Sequence, residues 1–347
     1  MPIAVVIPLY NHENYIGEAL RSVLEQTRPV QRIVVIDDGS RDRSVDMVRK
    51  FEDNRITLRT QENAGAHVTL NRAVAEAARD CEFIAVLNSD DLFHPERLEK
   101  CVGFLESNPS ADVVCTALKL IDPSGAVLED SHPKARWART VWAAGEDDLC
   151  AWLGIANFAK SSSNFVARRE AFLTHPFRAY RYVHDYFFAA ICALEHKLGV
   201  LRDELLYYRT HPSNTIKSDP LEKVTREVLQ MNLDLVREIA PRLAGSLQMR
   251  RDFAAYLRNL LGNHADFRAE AFVQVLGQLV AQMPTEALDG MVRGMTGAEF
   301  PELSEPSSRV LKKQIAEAEK ISAMKNEMER SNWLRIGRKL GFLSDSF

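Results

Sequence analysis

A series of short apolar runs, each ending in polar or acidic side chains, restricts this chain to few folds. Ile3–Ile7, Ile33–Ile36, Ile56–Leu58 and Phe83–Leu87 follow one another in the first ninety residues, and Val113–Cys115 makes a fifth. Short runs with little polar alternation suit strands covered on both faces, as in a parallel sheet. Helical stripes lie between them. Ile16, Ala19, Leu20, Val23 and Leu24 step by three and four residues, as do Leu98, Cys101, Val102 and Leu105. Pro95 falls at the predicted first turn of the second stripe, where its missing N–H costs nothing. The alternation predicts an α/β chain: a three-layer α/β/α sandwich around a mostly parallel central sheet.

Farther along, the pattern changes. Between residues 121 and 180, Pro123, Gly125, Pro133, Gly145, Trp137, Trp142 and Trp152 predict loops and short helices walling a cleft. Residues 182–198 read as helix and Leu205–Tyr208 as strand. Beyond Pro220 almost everything reads as helix, with breaks near Pro241, Gly262, Pro284 and Pro301–Pro306 and a last helix over Ser308–Asn332. The divisions expected are 1–220 for the α/β unit, 221–305 for a helical region and 306–347 for a basic amphipathic helix. A length of 347 residues with 46% apolar content supports a sizeable core and more than one unit.

Charge and cysteine usage exclude several classes. The net charge is −4 and no long basic run occurs before residue 300, which argues against nucleic acid as a partner. The five cysteines are scattered and form no C-x-x-C pair, against structural zinc and for a reducing, cytoplasmic setting. No basic leader precedes Ile3. No apolar run approaches the roughly 18 residues that a membrane span requires.

In open α/β sheets, ligands bind beyond the carboxyl ends of the strands. The first strand is followed by Pro8-Leu9-Tyr10-Asn11, without the glycines of a dinucleotide fingerprint or phosphate loop. The same absence disfavours a sugar-1-phosphate nucleotidyltransferase. After the second strand, Asp37-Asp38-Gly39-Ser40 offers carboxylates that can bond a base edge or cap the next helix. The third is followed by Glu62-Asn63-Ala64-Gly65 and the fourth by Asn88-Ser89-Asp90-Asp91. Adjacent acids repel, so a site holding both usually supplies a cation or a hydrogen-bond donor. Mn²⁺ or Mg²⁺ fits, because each takes oxygen ligands from one or two carboxylates and from phosphates.

These four motifs, in this order and spacing, resemble glycosyltransferase family 2 with its GT-A fold, over roughly the first 215 residues. The resemblance implies an inverting, metal-dependent transfer of a hexosyl or N-acetylhexosaminyl group from a nucleotide-sugar donor, by default a UDP-sugar. It implies that Pro8 and Tyr10 line the base and ribose, that Asp38 bonds the base, and that Asn63 and Asn71 approach the nucleotide. Asp90 matches the second acid of the family's D-x-D motif and would bind the cation. Asn88 stands where the first acid belongs. It can still bond a ribose hydroxyl, but one negative charge is lost, and Asp91 is the expected compensation. His184-Asp185 stands where the family carries Glu-Asp, so the resemblance makes Asp185 the general base. Tyr208-Arg209-Thr210-His211 resembles the family's Tyr-Arg-x-His stretch, with His211 at the metal or pyrophosphate and Arg209 near the donor. Asn157–Asn164 falls where the family shapes its acceptor site.

By the same likeness, the partners are a nucleotide-sugar donor and a glycan or lipid-linked acceptor, in surface polysaccharide assembly. Asn88 and His184 keep a second reading open: a non-catalytic sugar-nucleotide or glycan-binding module on the same fold. Residues 306–347 hold nine Lys or Arg against five Asp or Glu. Their apolar stripe of Leu311, Ile315, Ala318 and Ile321, and the cationic segment Arg330–Phe342, suit packing on the body, self-association, or the anionic inner face of the cytoplasmic membrane.

Overall fold

The computed structural model describes residues 1–263, apart from 130, 133, 136–137, 139–140, 143–147, 213, 215–220 and 244–245. The final helix expected over 306–347 and most of the helical region beyond 263 lie outside the described residues. Eight strands form one sheet: β1 Ile3–Leu9, β2 Arg32–Asp37, β3 Ile56–Thr60, β4 Phe83–Val86, β5 Leu92–Phe93, β6 Val113–Ile121, β7 Val166–Arg168 and β8 Leu198–Arg209. Their order is β3-β2-β1-β4-β7-β6-β8-β5. The β3-β2-β1-β4 half is parallel throughout, and β6 pairs parallel with β8. Antiparallel pairing enters where β7 lies between β4 and β6, and where β5 pairs with β8. The sheet is mixed, with the expected parallel half intact.

Alternation of side chains across the pleat explains the three layers. Ala4, Val6, Val34, Ile36, Ile84 and Val86 face one apolar cluster. Ile3, Val5, Ile7, Ile33, Val35 and Ala85 face the other. The first cluster is covered by α3 (Ala66–Ala77), α5 (Leu149–Ile155), α6 (Arg169–Thr174) and α7 (His184–Leu194). The second is covered by α1 (Ile16–Leu24), α2 (Ser44–Arg49) and α4 (Arg97–Ser107). Val5, Val6 and Val34 have no exposed surface. Each such side chain contributes about 1.5–3 kcal/mol, so a lysine at Val34 would break the half-sheet that carries the site.

Helices α8 (Leu221–Leu243) and α9 (Leu247–Asn263) add Met231, Leu235, Ile239, Phe253 and Tyr256 to the same cluster as α7. The last strand ends at Arg209, and the helices from Leu221 onward pack on the same core. Gly154 on α5 lets α9 approach closely: a Cβ there would lie 2.2 Å from the Tyr256 carbonyl oxygen.

Several elements differ from expectation for local reasons. The helix expected over 182–198 ends at Leu194, because His196 turns left-handed (φ 58°) and the chain enters β8. β8 runs for twelve residues, and its charged Arg202, Asp203 and Glu204 hide that length from apolar patterning. β7 has three residues, too few to show a period. Pro95 sits two residues ahead of α4, accepting from the Thr27 N–H at 2.9 Å.

Candidate active site

The carboxyl ends of β1, β2 and β4 meet on one edge of the sheet, where β1 separates strands running to either side. The first two loops are tied together. Asn11, left-handed at φ 52°, donates its N–H to Ser40 Oγ at 2.8 Å and accepts from the Arg41 N–H at 2.8 Å. Asp38 is buried and holds the third loop, accepting from Gln61 Nε2 (2.7 Å) and from the N–H groups of Ala64 (2.7 Å) and Gly65 (2.9 Å). Gly65 must be glycine, since its φ of 89° serves this turn. Asn63 is exposed and donates to the Asp38 carbonyl at 3.0 Å. Tyr10 is 44% exposed at the mouth of the edge, with half-buried Pro8 behind it. Asn71 has another engagement: its amide donates to the Phe177 carbonyl (2.8 Å) and accepts from the Phe177 N–H (2.9 Å). It fastens α3 to the segment leading to α7.

The loop after β4 meets the end of β8. Asp90 Oδ2 lies 2.9 Å from His211 Nε2. Burial pushes the Asp90 carboxyl up, but the His211 bond and the charges of His12 and His211 outweigh it and hold the group below the ordinary range. His12 lies on the loop after β1. Its Nδ1 is 2.7 Å from Ser89 Oγ, and its ring meets that of His211 edge-on at 5.7 Å. Burial pulls the His12 imidazole below its usual value, which favours the neutral ring able to donate a lone pair. One ligand atom from each of His12, Asp90 and His211 falls within 4.8 Å of the others. Nitrogen and carboxylate donors this close fit a divalent cation. His12 could have been noticed as the next residue after Asn11, on an edge where every strand ends in polar groups.

Asn88 and Asp91 are engaged elsewhere. The Asn88 amide donates to Ser161 Oγ (3.0 Å) and accepts from Ser162 Oγ (2.9 Å), and its N–H reaches Ser163 Oγ (2.9 Å). Asp91 is 1% exposed and accepts from Ser163 Oγ (2.6 Å) and the Arg209 N–H (2.9 Å). Burial, then the charge of Asp90, push its carboxyl well up. The compensation expected from Asp91 is therefore not what the structure builds: this group braces the loop and is absent from the donor cluster. Arg209 likewise lies behind the site. Its guanidinium donates to the Asp90 carbonyl (2.8 Å), the Pro123 carbonyl (3.0 Å) and Glu18 (2.6 Å), and it stacks on Tyr15 at 5.0 Å.

Asp185 reaches this edge from the first turn of α7. It is 5% exposed; Oδ1 accepts from the Tyr186 N–H (2.8 Å) and Oδ2 from Asn157 Nδ2 (3.2 Å). Burial raises its pKa, against the lowering effects of His184 and of these two bonds. Residues 157–164 bridge the two sets of acids. Asn157 holds Asp185, its Oδ1 accepts from the Lys160 N–H (3.2 Å), and Ser161–Ser163 hold Asn88 and Asp91. Beneath them the buried Arg97 donates to the Ser163 carbonyl and to Asn164 Oδ1, both at 3.2 Å. Tyr208 marks the convergence, its phenol pushed up by burial and then by the charges of Asp91, Asp90 and Asp185.

Helix α8 supports Asp185 as well. The Glu227 carboxylate accepts from the N–H groups of Arg181 (2.9 Å), Tyr182 (2.5 Å) and Val183 (3.1 Å), just ahead of α7. A cavity of about 930 Å³ opens beside this turn, lined by Arg178, Tyr180, Tyr182, Arg226 and Glu227 among others.

The chain has relatives among known proteins. The family model for glycosyl transferase family 2 matches residues 4–174. The putative teichuronic acid biosynthesis glycosyltransferase TuaG of Bacillus subtilis is 35% identical over 106 residues, 30% of this chain and 41% of TuaG. The chain spans from 41% to 66% of the length of four curated glycosyltransferases that it matches. Among solved structures, S. aureus TarS 1–349 with UDP-GlcNAc superposes with a TM-score of 0.55 at 19% identity, over 85% of this chain and 79% of TarS. The mannosyltransferase PcManGT of Pyrobaculum calidifontis, with GDP-Man and Mn²⁺, gives 0.52 at 17% identity over 86% and 88%. At these identities, the two structures show a shared fold. Through residues 4–174, with their GT-A architecture and ordered strand-end motifs, the chain belongs to glycosyl transferase family 2.

Proposed function

We propose that this chain is a metal-dependent inverting glycosyltransferase that moves a hexosyl or N-acetylhexosaminyl group from a UDP-sugar to an acceptor hydroxyl. The carrying observation is that residues 157–164 join the two sides, Asn157 bonding Asp185 while Ser161–Ser163 bond Asn88 and Asp91 beside Asp90. His12, Asp90 and His211 would hold Mn²⁺ or Mg²⁺. When bound, the cation supplies electrostatic stabilisation for charge growing on the leaving nucleoside diphosphate. Pro8 and Tyr10 flank the nucleoside, Asn63 approaches it from the third loop, and Asp38 keeps that loop shaped beneath the base. Asp185, poised upward in pKa, takes the proton of the acceptor hydroxyl as that oxygen attacks the anomeric carbon.

A polysaccharide-assembly role is supported by the likeness to TuaG, a putative teichuronic acid biosynthesis glycosyltransferase. A cytoplasmic site of action, at the inner membrane face, rests on the sequence alone; no described helix is long and apolar enough to cross a membrane. The test is a panel of uridine, thymidine and guanosine diphosphate sugars scored for nucleotide release with and without Mn²⁺. Metal-dependent release from a uridine donor, with inverted product, is expected. Retained configuration, or metal-independent turnover, would defeat the reading.

A further inference from the structure

We propose that His12 is a third protein ligand of the cation, that its nitrogen takes the place of the carboxylate lost at Asn88, and that it biases the site against Mg²⁺. The inference rests on the metal-site reading above and goes beyond it in the exchange of His12 for the carboxylate lost at Asn88 and in the metal preference that follows.

Asp90 is the sole carboxylate in the three-residue donor cluster found among the described residues. Asn88 is held by three serines and Asp91 by Ser163 and Arg209, so neither is available without breaking that framework. His12 is supplied instead, fixed by bonds of its own backbone and ring and by those of the next residue. Its N–H donates to Ser44 Oγ at 2.8 Å, and that hydroxyl bonds Asp42 at 2.5 Å. The next residue, Glu13, donates its N–H to Asp42 Oδ2 at 3.0 Å and accepts from the Arg43 N–H at 2.9 Å. The ring itself is oriented by Ser89 Oγ on Nδ1, which leaves Nε2 to face the cation. A hydrogen bond to the far nitrogen is how metal-binding histidines are usually aimed. Ser89, from the loop that carries Asp90, thus aims the ligand from the neighbouring strand.

Two imidazoles and one carboxylate make a donor set unlike an all-oxygen Mg²⁺ site. Imidazole favours later first-row cations, and affinity for such a site rises from Mn²⁺ toward Co²⁺ and Ni²⁺. Mg²⁺ loses water reluctantly and prefers oxygen. The order expected is Co²⁺ above Mn²⁺ above Mg²⁺.

The experiment is Mn²⁺ binding to the full chain, followed by the electron paramagnetic resonance signal of the free ion, with Mg²⁺ as competitor. Wild type, His12→Ala, Ser89→Ala and Asp90→Asn are compared, each after its melting curve has shown a folded protein. His12→Ala should weaken Mn²⁺ binding by roughly tenfold or more, at least what loss of an outer partner costs a metal ligand. Mg²⁺ binding should change far less, Ser89→Ala should give a smaller loss, and Asp90→Asn should lose both ions. Unchanged Mn²⁺ affinity in His12→Ala, with loss in Asp90→Asn, overturns the role of His12 and leaves the metal site standing. Absence of binding in wild type overturns both. A measurement on wild type alone guards against an unfolded variant: electron spin echo modulation of the bound Mn²⁺ should show nitrogen coupling from two imidazoles. Coupling from His211 alone would refute the proposal.

Discussion

Asp90 and Asp185 are both carboxylates sunk at one sheet edge, yet their surroundings push them in opposite directions. Around Asp90 stand two imidazoles and a bond to His211, so the ionised form is favoured despite burial. Asp185 has an amide and its own helix turn, and burial prevails. The contrast separates the two halves of the cleft by chemistry. A group whose ionised form is favoured suits a permanent ligand, whereas one whose proton affinity has been raised suits proton transfer. Each prediction below either removes that difference or measures it.

The largest effect should follow from Asp185→Asn. The amide keeps the shape and can still accept from the Tyr186 N–H, but it loses the oxygen that accepts from Asn157 Nδ2 and cannot take a proton. Turnover should fall on the order of a hundredfold or more, with nucleotide-sugar binding and melting temperature almost unchanged. Near-normal kcat in a folded variant would remove the base from this half of the cleft and void the comparison.

How far the two halves could be read from the sequence also differs. The donor half was legible because parallel strands buried on both faces leave unbroken apolar runs, and whatever follows such a run stands at the sheet edge. Asp38, Asn63, Asn88 and Asp90 were placed this way. His12 escaped because its role depends on His211, 199 positions later in the numbering, brought alongside by β8. Asn71 and Asp91 were expected near the nucleotide or the cation, and patterning cannot reveal that Phe177 and Ser163 already occupy them. The other half rests on contacts with no local period. β7 is three residues long, the serine turn is irregular, and Glu227 comes from a helix outside the matched family segment. Only the position of Asp185 could be singled out there, by its match to the family's Glu-Asp pair.

Glu227 gives the intermediate test. Its carboxylate collects three main-chain donors ahead of α7, so Glu227→Gln replaces an acceptor oxygen by an amine facing those N–H groups. Charge-assisted bonds of this kind contribute about 1.5–3 kcal/mol each, and part of that loss should appear as a lower melting temperature. If α8 positions the base, kcat should drop by roughly tenfold, the effect of about 1.4 kcal/mol in a barrier, while donor KM stays level. A variant that loses stability but keeps kcat would show that α8 braces the fold without acting on the donor–acceptor contrast.

The smallest and most diagnostic change concerns Asn157. Its Nδ2 donates to the ionised Asp185, one of the effects lowering that carboxyl against burial. The base works deprotonated, so activity is present at high pH and lost as pH falls through the Asp185 pKa, which burial has lifted above the ordinary carboxylate range. Asn157→Ala removes a bond that favours the ionised form and so lifts the pKa further. The acid limb of kcat/KM should therefore move to higher pH, with the plateau nearly unchanged. Asn157→Asp, which sets a second negative charge beside Asp185, should move the limb farther in the same direction. Asp90 predicts the opposite insensitivity: with its carboxyl held low by imidazoles on another loop, neither Asn157 variant should alter Mn²⁺ affinity. A limb that stays put while Mn²⁺ affinity shifts would mean that the titrating group lies on the donor side, and the assignment of the two carboxylates would have to be exchanged.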